Sequence, residues 1–281
     1  NLKRAPDRRQ QIKEQLDELG LKFEFIDATD AKEGLSDEEM DLIGREEHPK
    51  YEDRVRVGEI GCLISHLRCY QKLLNSSSEY ALILEDDALF EKEFVSVLAQ
   101  IIKSDVNYNV MQLGYDLSKQ VVSPWLGKST MPLNLLKRRS LGISTAENKP
   151  YYVGPVYSNI FCTHCYLISR RGCELLLSAH KKVLRPIDAL LNEAGIPLRF
   201  ALVPVIAHQS PGEPGNYINY DQKGDNHKEH KNLMFRILKQ LENISPHWFR
   251  QIIASILVLC STKAPGYYRR LLKNAVLRKR L

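Results

Sequence analysis

The chain has no stretch of about 18 uninterrupted apolar residues, so nothing in it reads as a bilayer-spanning helix. Its longest apolar run, IIASILVLC ending at Cys260, is short and is broken by Ser255. No leader is expected, because Asn1-Leu2-Lys3-Arg4 runs straight into charged sequence, and a cytoplasmic location is expected with it. Cysteine is sparse, with 6 residues in 281, and Cys162-Thr163-His164-Cys165 has no second Cys-x-x-Cys to complete a structural zinc site. The flanks of that pair, Ile160-Phe161 and Tyr166-Leu167-Ile168, read as a strand, so both thiols are expected to be reduced and buried as small hydrophobes. No internal repeat is present. With 43% hydrophobic and 26% charged residues, disorder, collagen-like repeats and disulfide scaffolds are excluded, and a cored globular protein remains.

Charge is unevenly placed. The net charge is +6, but residues 228–281 hold 12 basic residues against 2 acidic, leaving residues 1–227 mildly acidic. We therefore divide the chain into a body, 1–227, and a basic amphipathic helical region, 228–281. Basic residues interleaved with Tyr267, Tyr268, Leu271 and Leu272 suit docking on an anionic membrane surface, at about 1 kcal/mol per basic residue near the surface. A solvated helix pair packed on the body is the equal alternative. Nucleic acid is set aside as a partner, since no recognition motif accompanies the charge.

Along the body, Ile12, Leu16 and Leu19 fall at helical spacing over 7–19, closed by Gly20. FEFIDA, from Phe23 to Ala28, alternates like a strand, and Ser36 with Glu39 forms a capping box. Residues 58–74 read as a mostly buried helix, and YALIL, 80–84, as a central parallel strand. A helix near 91–103, a strand at 110–114, a long irregular loop over 115–152, and a strand over 161–169 follow. Next come a helix to His180, a helix opened by Pro186-Ile187-Asp188, a last strand from Arg199 to Ala207, and a loop from His208 to Asn226. Alternating strands and helices predict an α/β fold with a Rossmann-like, mainly parallel sheet covered by helices on both faces.

The sharpest feature is Glu85-Asp86-Asp87, delivered at the carboxyl end of YALIL, where open α/β sheets bind ligands. Adjacent carboxylates repel by several kcal/mol at short range unless a cation neutralises them. Oxygen ligands of this kind suit hard Mn²⁺ or Mg²⁺, which also take diphosphate oxygens. The same acids equally suit capping of the next helix.

Four segments in order resemble glycosyltransferase family 25, the lipooligosaccharide and procollagen galactosyltransferase-like enzymes. They are Asn1-Leu2-Lys3-Arg4 with Asp7-Arg8-Arg9; GEIGCLISH from Gly58 to His66; LILEDDALF from Leu82 to Phe90; and THCYLIS from Thr163 to Ser169 with Gly172. Pro186-Ile187-Asp188 is similar to the family's later Pro-x-Asp element. The resemblance implies a GT-A fold, a UDP-sugar donor, a divalent metal and inversion at the anomeric carbon. It places Asn1, Leu2 and Arg4 at a nucleotide-docking strand end, and Asp27, Ala28 and Thr29 beside uracil and ribose. Asp87 goes to the metal, with His208 as its third ligand or simply a surface histidine. Glu85 or Asp86 goes to ribose or donor sugar. Glu59, Ser65 and His66 line the donor site or form a core network. Arg8 and Arg9 face the phosphates or solvent. Inverting transfer needs a base for the acceptor hydroxyl, and Asp188 is the candidate, with Asp116 the runner-up; Asp188 also suits a plain cap on its own helix. The resulting expectation is a β-galactosyltransferase moving galactose from UDP-galactose to a lipooligosaccharide or lipopolysaccharide glycan of the cell envelope, peripheral on the inner membrane. The alternative is a catalytically silent sugar-nucleotide-binding or membrane-scaffold protein of the same fold.

Overall fold

A computed structural model describes residues 1–43, 55–116, 138–156, 160–180, 185–193 and 195–210. The basic region 228–281, most of the loop from His208 to Asn226 and the first half of the expected loop 115–152 lie outside the described residues. None of the described helices is long and apolar enough to cross a membrane.

Helix α1 (Pro6–Glu18) starts on a proline with Asp7 in its first turn, and it buries Ile12 and Leu16. Gly20, at φ +66°, ends it by donating its N–H to the Asp17 carbonyl. A 3₁₀ turn (Ala31–Glu33) leads to α2 (Asp37–Ile43). The Ser36 N–H donates to the Glu39 carboxylate at 2.8 Å and the Glu39 N–H to Ser36 Oγ at 3.2 Å, which is the expected capping box. The long helix α3 (Val57–Leu74) buries Leu63, Ile64, Leu67, Tyr70 and Leu73.

The remaining elements are β1 (Tyr80–Leu84), β2 (Ala88–Phe90), α4 (Phe94–Lys103), β3 (Val110–Asp116), β4 (Arg139–Ser144), β5 (Pro150–Pro155), β6 (Phe161–Ser169), α5 (Arg170–His180), α6 (Ile187–Glu193), β7 (Arg199–Val203) and β8 (Ala207–Gln209). The strands make one sheet in the order β1-β6-β3-β7-β5-β4, with β8 beside β3 and β2 paired to β8. Apolar faces of α3, α5 and α6 cover one side of it. On the other side α4 packs on Met111, Leu113 and Leu202, while α1 packs beside Leu84 and Phe90.

The α/β class, consistent with a GT-A-like fold, is thus present, but strand direction differs from the sequence reading. Five of the seven strand pairings are antiparallel. Strands β1, β3 and β7 do share a direction, as a β1-α4-β3 crossover requires. Strand β6 enters between β1 and β3 from the opposite end, pairing Leu82 with Leu167 and Met111 with Leu167 from its two edges. YALIL is therefore not a central parallel strand. It is apolar because both its faces are covered: Ala81 and Ile83 pack towards α3, Leu82 and Leu84 towards α4.

Two further expectations change. Residues 139–152, read as part of a loop, lie in the β4–β5 hairpin, which runs on to Pro155. Phe23–Ala28 forms no strand, since among the described residues its backbone pairs only with Asn1, through Asn1 N to Ile26 O (3.1 Å) and Ala28 N to Asn1 O (2.8 Å). Its aromatic residues, Phe23 and Phe25, pack edge to face all the same.

Gly172 shows how tightly α5 sits on the sheet. A Cβ there would stand 2.3 Å from the Asn109 carbonyl oxygen and 2.9 Å from Ile168 Cγ1. Gly172→Ala should therefore lower stability by about 1–3 kcal/mol, read as a shifted urea midpoint with an unchanged slope.

Candidate functional site

The three acids occupy a turn between two strands. Leaving β1, Glu85 donates its N–H to the His164 carbonyl (3.0 Å), and Ala88 donates to the Glu85 carbonyl (3.2 Å) before β2 begins. Strand β2 then pairs antiparallel with β8, and Ser210 donates its N–H to the Asp87 carbonyl at 2.8 Å. The turn is thereby fixed on both sides. It opens, with Asn1, Arg8 and His66, into a cleft of about 1160 Å³.

The acids differ in their surroundings. Glu85 accepts from Thr163 Oγ1 (2.6 Å) and faces His66 Nε2 at 3.4 Å. Burial opposes its charge, but His66 and Thr163 outweigh that and hold the carboxyl well below the usual range. Asp86 accepts from Asn1 Nδ2 at 2.7 Å and pairs with Arg8. Asp87 receives Gln209 Nε2 at 3.0 Å and Arg8 Nη2 at 3.1 Å, all on Oδ2. Its Oδ1 is buried with no partner. Burial first, and the Glu85 charge second, push the Asp87 carboxyl up to about 6, against the help of Gln209 and Arg8. An under-compensated carboxylate with a buried, unpartnered oxygen beside two further carboxylates fits a hard divalent cation.

One face of α3 forms the next wall. His66 Nδ1 lies 2.7 Å from Tyr166 Oη, which is itself 2.7 Å from Tyr70 Oη. Cys62 sits one turn earlier, its thiol pushed well up by burial and then by the charges of Glu85, Asp188, Asp87 and Glu59. Ser65 Oγ donates to the Gly61 carbonyl and accepts the Thr29 N–H at 3.0 Å. Thr29 Oγ1 donates to Glu39 (2.7 Å) and accepts from Arg68 (3.0 Å). A Cβ on Gly61 would stand 2.5 Å from the Thr29 carbonyl oxygen, so the loop after Asp27 lies directly on the helix. Thr29 and Ser65 thus tie this loop down with hydroxyls already engaged by the protein. Glu59 accepts the Arg56 N–H at 2.8 Å, a cap on the start of α3.

Around Asn1, the side-chain Nδ2 also donates to the Ala5 carbonyl, and the Oδ1 is buried without a partner. Leu2 accepts the Ala5 N–H on its carbonyl. Arg4 pairs with Asp30, chiefly through a hydrogen bond that lowers the Asp30 carboxyl. Asp27 is held below the usual carboxylate range first by Arg9, whose guanidinium also lies 4.1 Å over the Phe25 ring.

Of the residues expected from sequence, Asn1, Leu2, Arg4, Ala28, Thr29, Ser65, His66, Glu85, Asp86, Asp87 and His208 line one cleft, whereas Asp27, Glu59 and Asp188 are not part of its lining. Asp188 stands in the first turn of α6, its Oδ1 accepting the Ala189 N–H at 2.7 Å, and its charge reaches the Cys62 thiol. Asp116 closes β3, paired in register with Phe161. His208 lies beside Glu91, Nε2 to Oε1 2.7 Å, because strand alternation turns its neighbour Gln209 towards Asp87. Cys165 is buried as expected, whereas Cys162 is half-buried, at φ +72°.

Sequence reasoning gave no role to Gln209, Thr163, Tyr166 or Cys62, and it left Arg8 between phosphates and solvent. Cys62, Thr163 and Tyr166 lie inside the segments that carry the family resemblance, and Arg8 had a signal of its own, since three adjacent acids need a counter-cation and α1 opens with one at the right end.

A family model described as glycosyltransferase family 25 (LPS biosynthesis protein) matches residues 1–191. A "Glycosyltransferase 25 family member" of Drosophila pseudoobscura pseudoobscura is 36% identical over 135 residues, covering 45% of this chain and 21% of that protein. Human "Procollagen galactosyltransferase 2" is 26% identical over 198 residues, covering 68% of this chain and 29% of that protein. A bovine "Probable inactive glycosyltransferase 25 family member 3" is 25% identical over 219 residues, covering 76% of this chain and 32% of that protein. The chain thus spans about a fifth to a third of the length of these relatives.

Proposed function

The chain belongs to glycosyltransferase family 25, and from that premise we propose that it transfers galactose from UDP-galactose to a glycan hydroxyl, with inversion at the anomeric carbon. Asp87 carries the reading: a nearly buried carboxylate with one buried, unpartnered oxygen, beside two more acids, at a strand end on a large cleft. Asp87 and Asp86 would hold Mn²⁺ or Mg²⁺, which when bound offsets the negative charge growing on the leaving diphosphate.

The chain's own residues do the rest. Asn1, which already reaches Asp86, binds the nucleotide side of the donor through its buried Oδ1. The loop Asp27-Ala28-Thr29 is pinned on α3 and gives the uracil and ribose a rigid floor. Glu85, kept charged by Thr163 and His66, accepts a hydroxyl of the donor sugar. Arg8 balances the acids and turns to the phosphates as they enter. Asp188 takes the proton from the attacking acceptor hydroxyl. The acceptor in this reading is a lipooligosaccharide glycan, presented at an anionic inner-membrane surface on which the basic residues of 228–281 dock from the cytoplasmic side.

Incubation with UDP-galactose, UDP-glucose and their N-acetyl forms, with Mn²⁺ and a lipooligosaccharide acceptor, tests the reading. UDP release should require metal and acceptor together and be fastest with UDP-galactose. One relative carries the word inactive in its name, which favours a second reading: a silent sugar-nucleotide-binding protein. That reading gains if calorimetry shows UDP binding while no acceptor is glycosylated.

A further inference from the structure

Cys62, His66 and Glu85 bring three different ligand chemistries to one point on the cleft wall. One sulfur, one imidazole nitrogen and one carboxylate oxygen lie within 4.8 Å of one another. The 3.4 Å between His66 Nε2 and Glu85 Oε1 is long for an N–H···O bond. It matches the spacing of two ligands on a tetrahedral ion, roughly 3.3–3.8 Å for bonds of about 2.0–2.3 Å.

The donors also come pre-oriented. Cys62 and His66 are four residues apart on one face of α3, and Glu85 is fixed at the end of β1. The other ring nitrogen of His66 is engaged by Tyr166 at 2.7 Å, and Tyr166 in turn by Tyr70, the arrangement that fixes a ligating imidazole. Thr163 does the same for the Glu85 carboxylate. The chemistry differs from that of the neighbouring acids: Asp86 and Asp87 offer oxygen alone, which suits Mn²⁺ or Mg²⁺, whereas thiolate with imidazole selects a softer ion.

We propose that Cys62, His66 and Glu85 form a second cation site, specific for Zn²⁺ and chemically similar ions, on the wall of the same cleft. On binding, the Cys62 thiol proton leaves to solvent, a proton on His66 Nε2 moves to solvent or to Nδ1, which then donates to Tyr166 Oη, and the metal stays divalent. Three protein ligands would leave a tetrahedral ion one position for water. Because Glu85 serves both this site and the donor, zinc there withdraws it from the sugar and inhibits transfer. Metal binding at the triad stands independently of any transferase activity; only the inhibition rests on the function proposed above.

Titration of the metal-free full chain with Co²⁺, followed by Zn²⁺, decides it. The expected result is one equivalent of a thiolate-to-cobalt charge-transfer band that Zn²⁺ abolishes, with binding at least about 100-fold weaker in Cys62→Ser. The band should persist in Cys69→Ser, Cys162→Ser and Asp87→Asn. A band unchanged in Cys62→Ser, a band lost only in Asp87→Asn, or no band in wild type with a native circular dichroism spectrum overturns the proposal. Where transfer is measurable, the ratio of rates with and without Zn²⁺ at saturating Mn²⁺ should fall at least about tenfold in wild type and stay near one in Cys62→Ser. Equal ratios in the two proteins overturn the inhibition.

Discussion

Asp87→Asn should lower kcat/KM for sugar transfer by about 10²–10³-fold while making the metal-free protein more stable at neutral pH. The two effects share one cause. Asp87 is nearly buried, beside Glu85 and Asp86, and Gln209 and Arg8 satisfy only one of its oxygens. Its carboxyl, raised to about 6 from an ordinary 3.8, holds its proton more tightly in the folded chain than in the unfolded one. The cost of ionising it is therefore absent below pH 3.8, grows as pH rises, and is complete above about 6. Asparagine carries no such cost and keeps an oxygen for Gln209. In urea without metal, variant and wild type should coincide near pH 4, and the variant should be ahead by about 2–3 kcal/mol at pH 7.5. Excess Mn²⁺ should reverse the order by stabilising the wild type alone. A variant that transfers sugar at the wild-type rate removes Asp87 from the metal site.

Asp188→Asn should reduce kcat by about 10²–10⁴-fold and leave KM for the UDP-sugar within about twofold. The split follows from position. Asp188 stands at the start of α6, outside the Arg8 network that holds Asp86 and Asp87, yet close enough to act on the Cys62 thiol in the cleft wall. Asparagine keeps an oxygen to accept the Ala189 N–H, so the first turn of α6 should survive. Equal losses in kcat and in donor affinity would assign Asp188 to binding. An effect confined to Asp116→Asn would move the base to the end of β3.

The local elements were legible in the sequence because their signals are local. The spacing of Ile12 and Leu16 marks α1 and Gly20 closes it, Ser36 and Glu39 answer each other across one turn, and the apolar spacing of 58–74 marks α3. The acids could be placed at a strand end from YALIL alone. The insertion of β6 between β1 and β3 was not legible, since alternating strands and helices specify crossovers but not which strand fills the gap. Residues 23–28 have a strand's alternation without a strand's pairing, because alternation reports which faces are covered and not which edges are bonded. Gln209 reaches Asp87 from 122 residues away, a distance at which no sequence spacing speaks. The same ladder that brings Gln209 inward turns His208 to Glu91.

The short β2–β8 ladder also sets when the acidic turn can mature. Asp87 emerges from the ribosome long before Gln209 and Ser210, the two residues that brace its side chain and its carbonyl. At about 5–20 residues per second, those 122 residues take roughly 6–24 s to follow. Through that interval the acids have their N-terminal partners Asn1, Arg8 and His66 but not yet the brace from β8. The acidic end of the sheet is thus among the last of the described parts to lock.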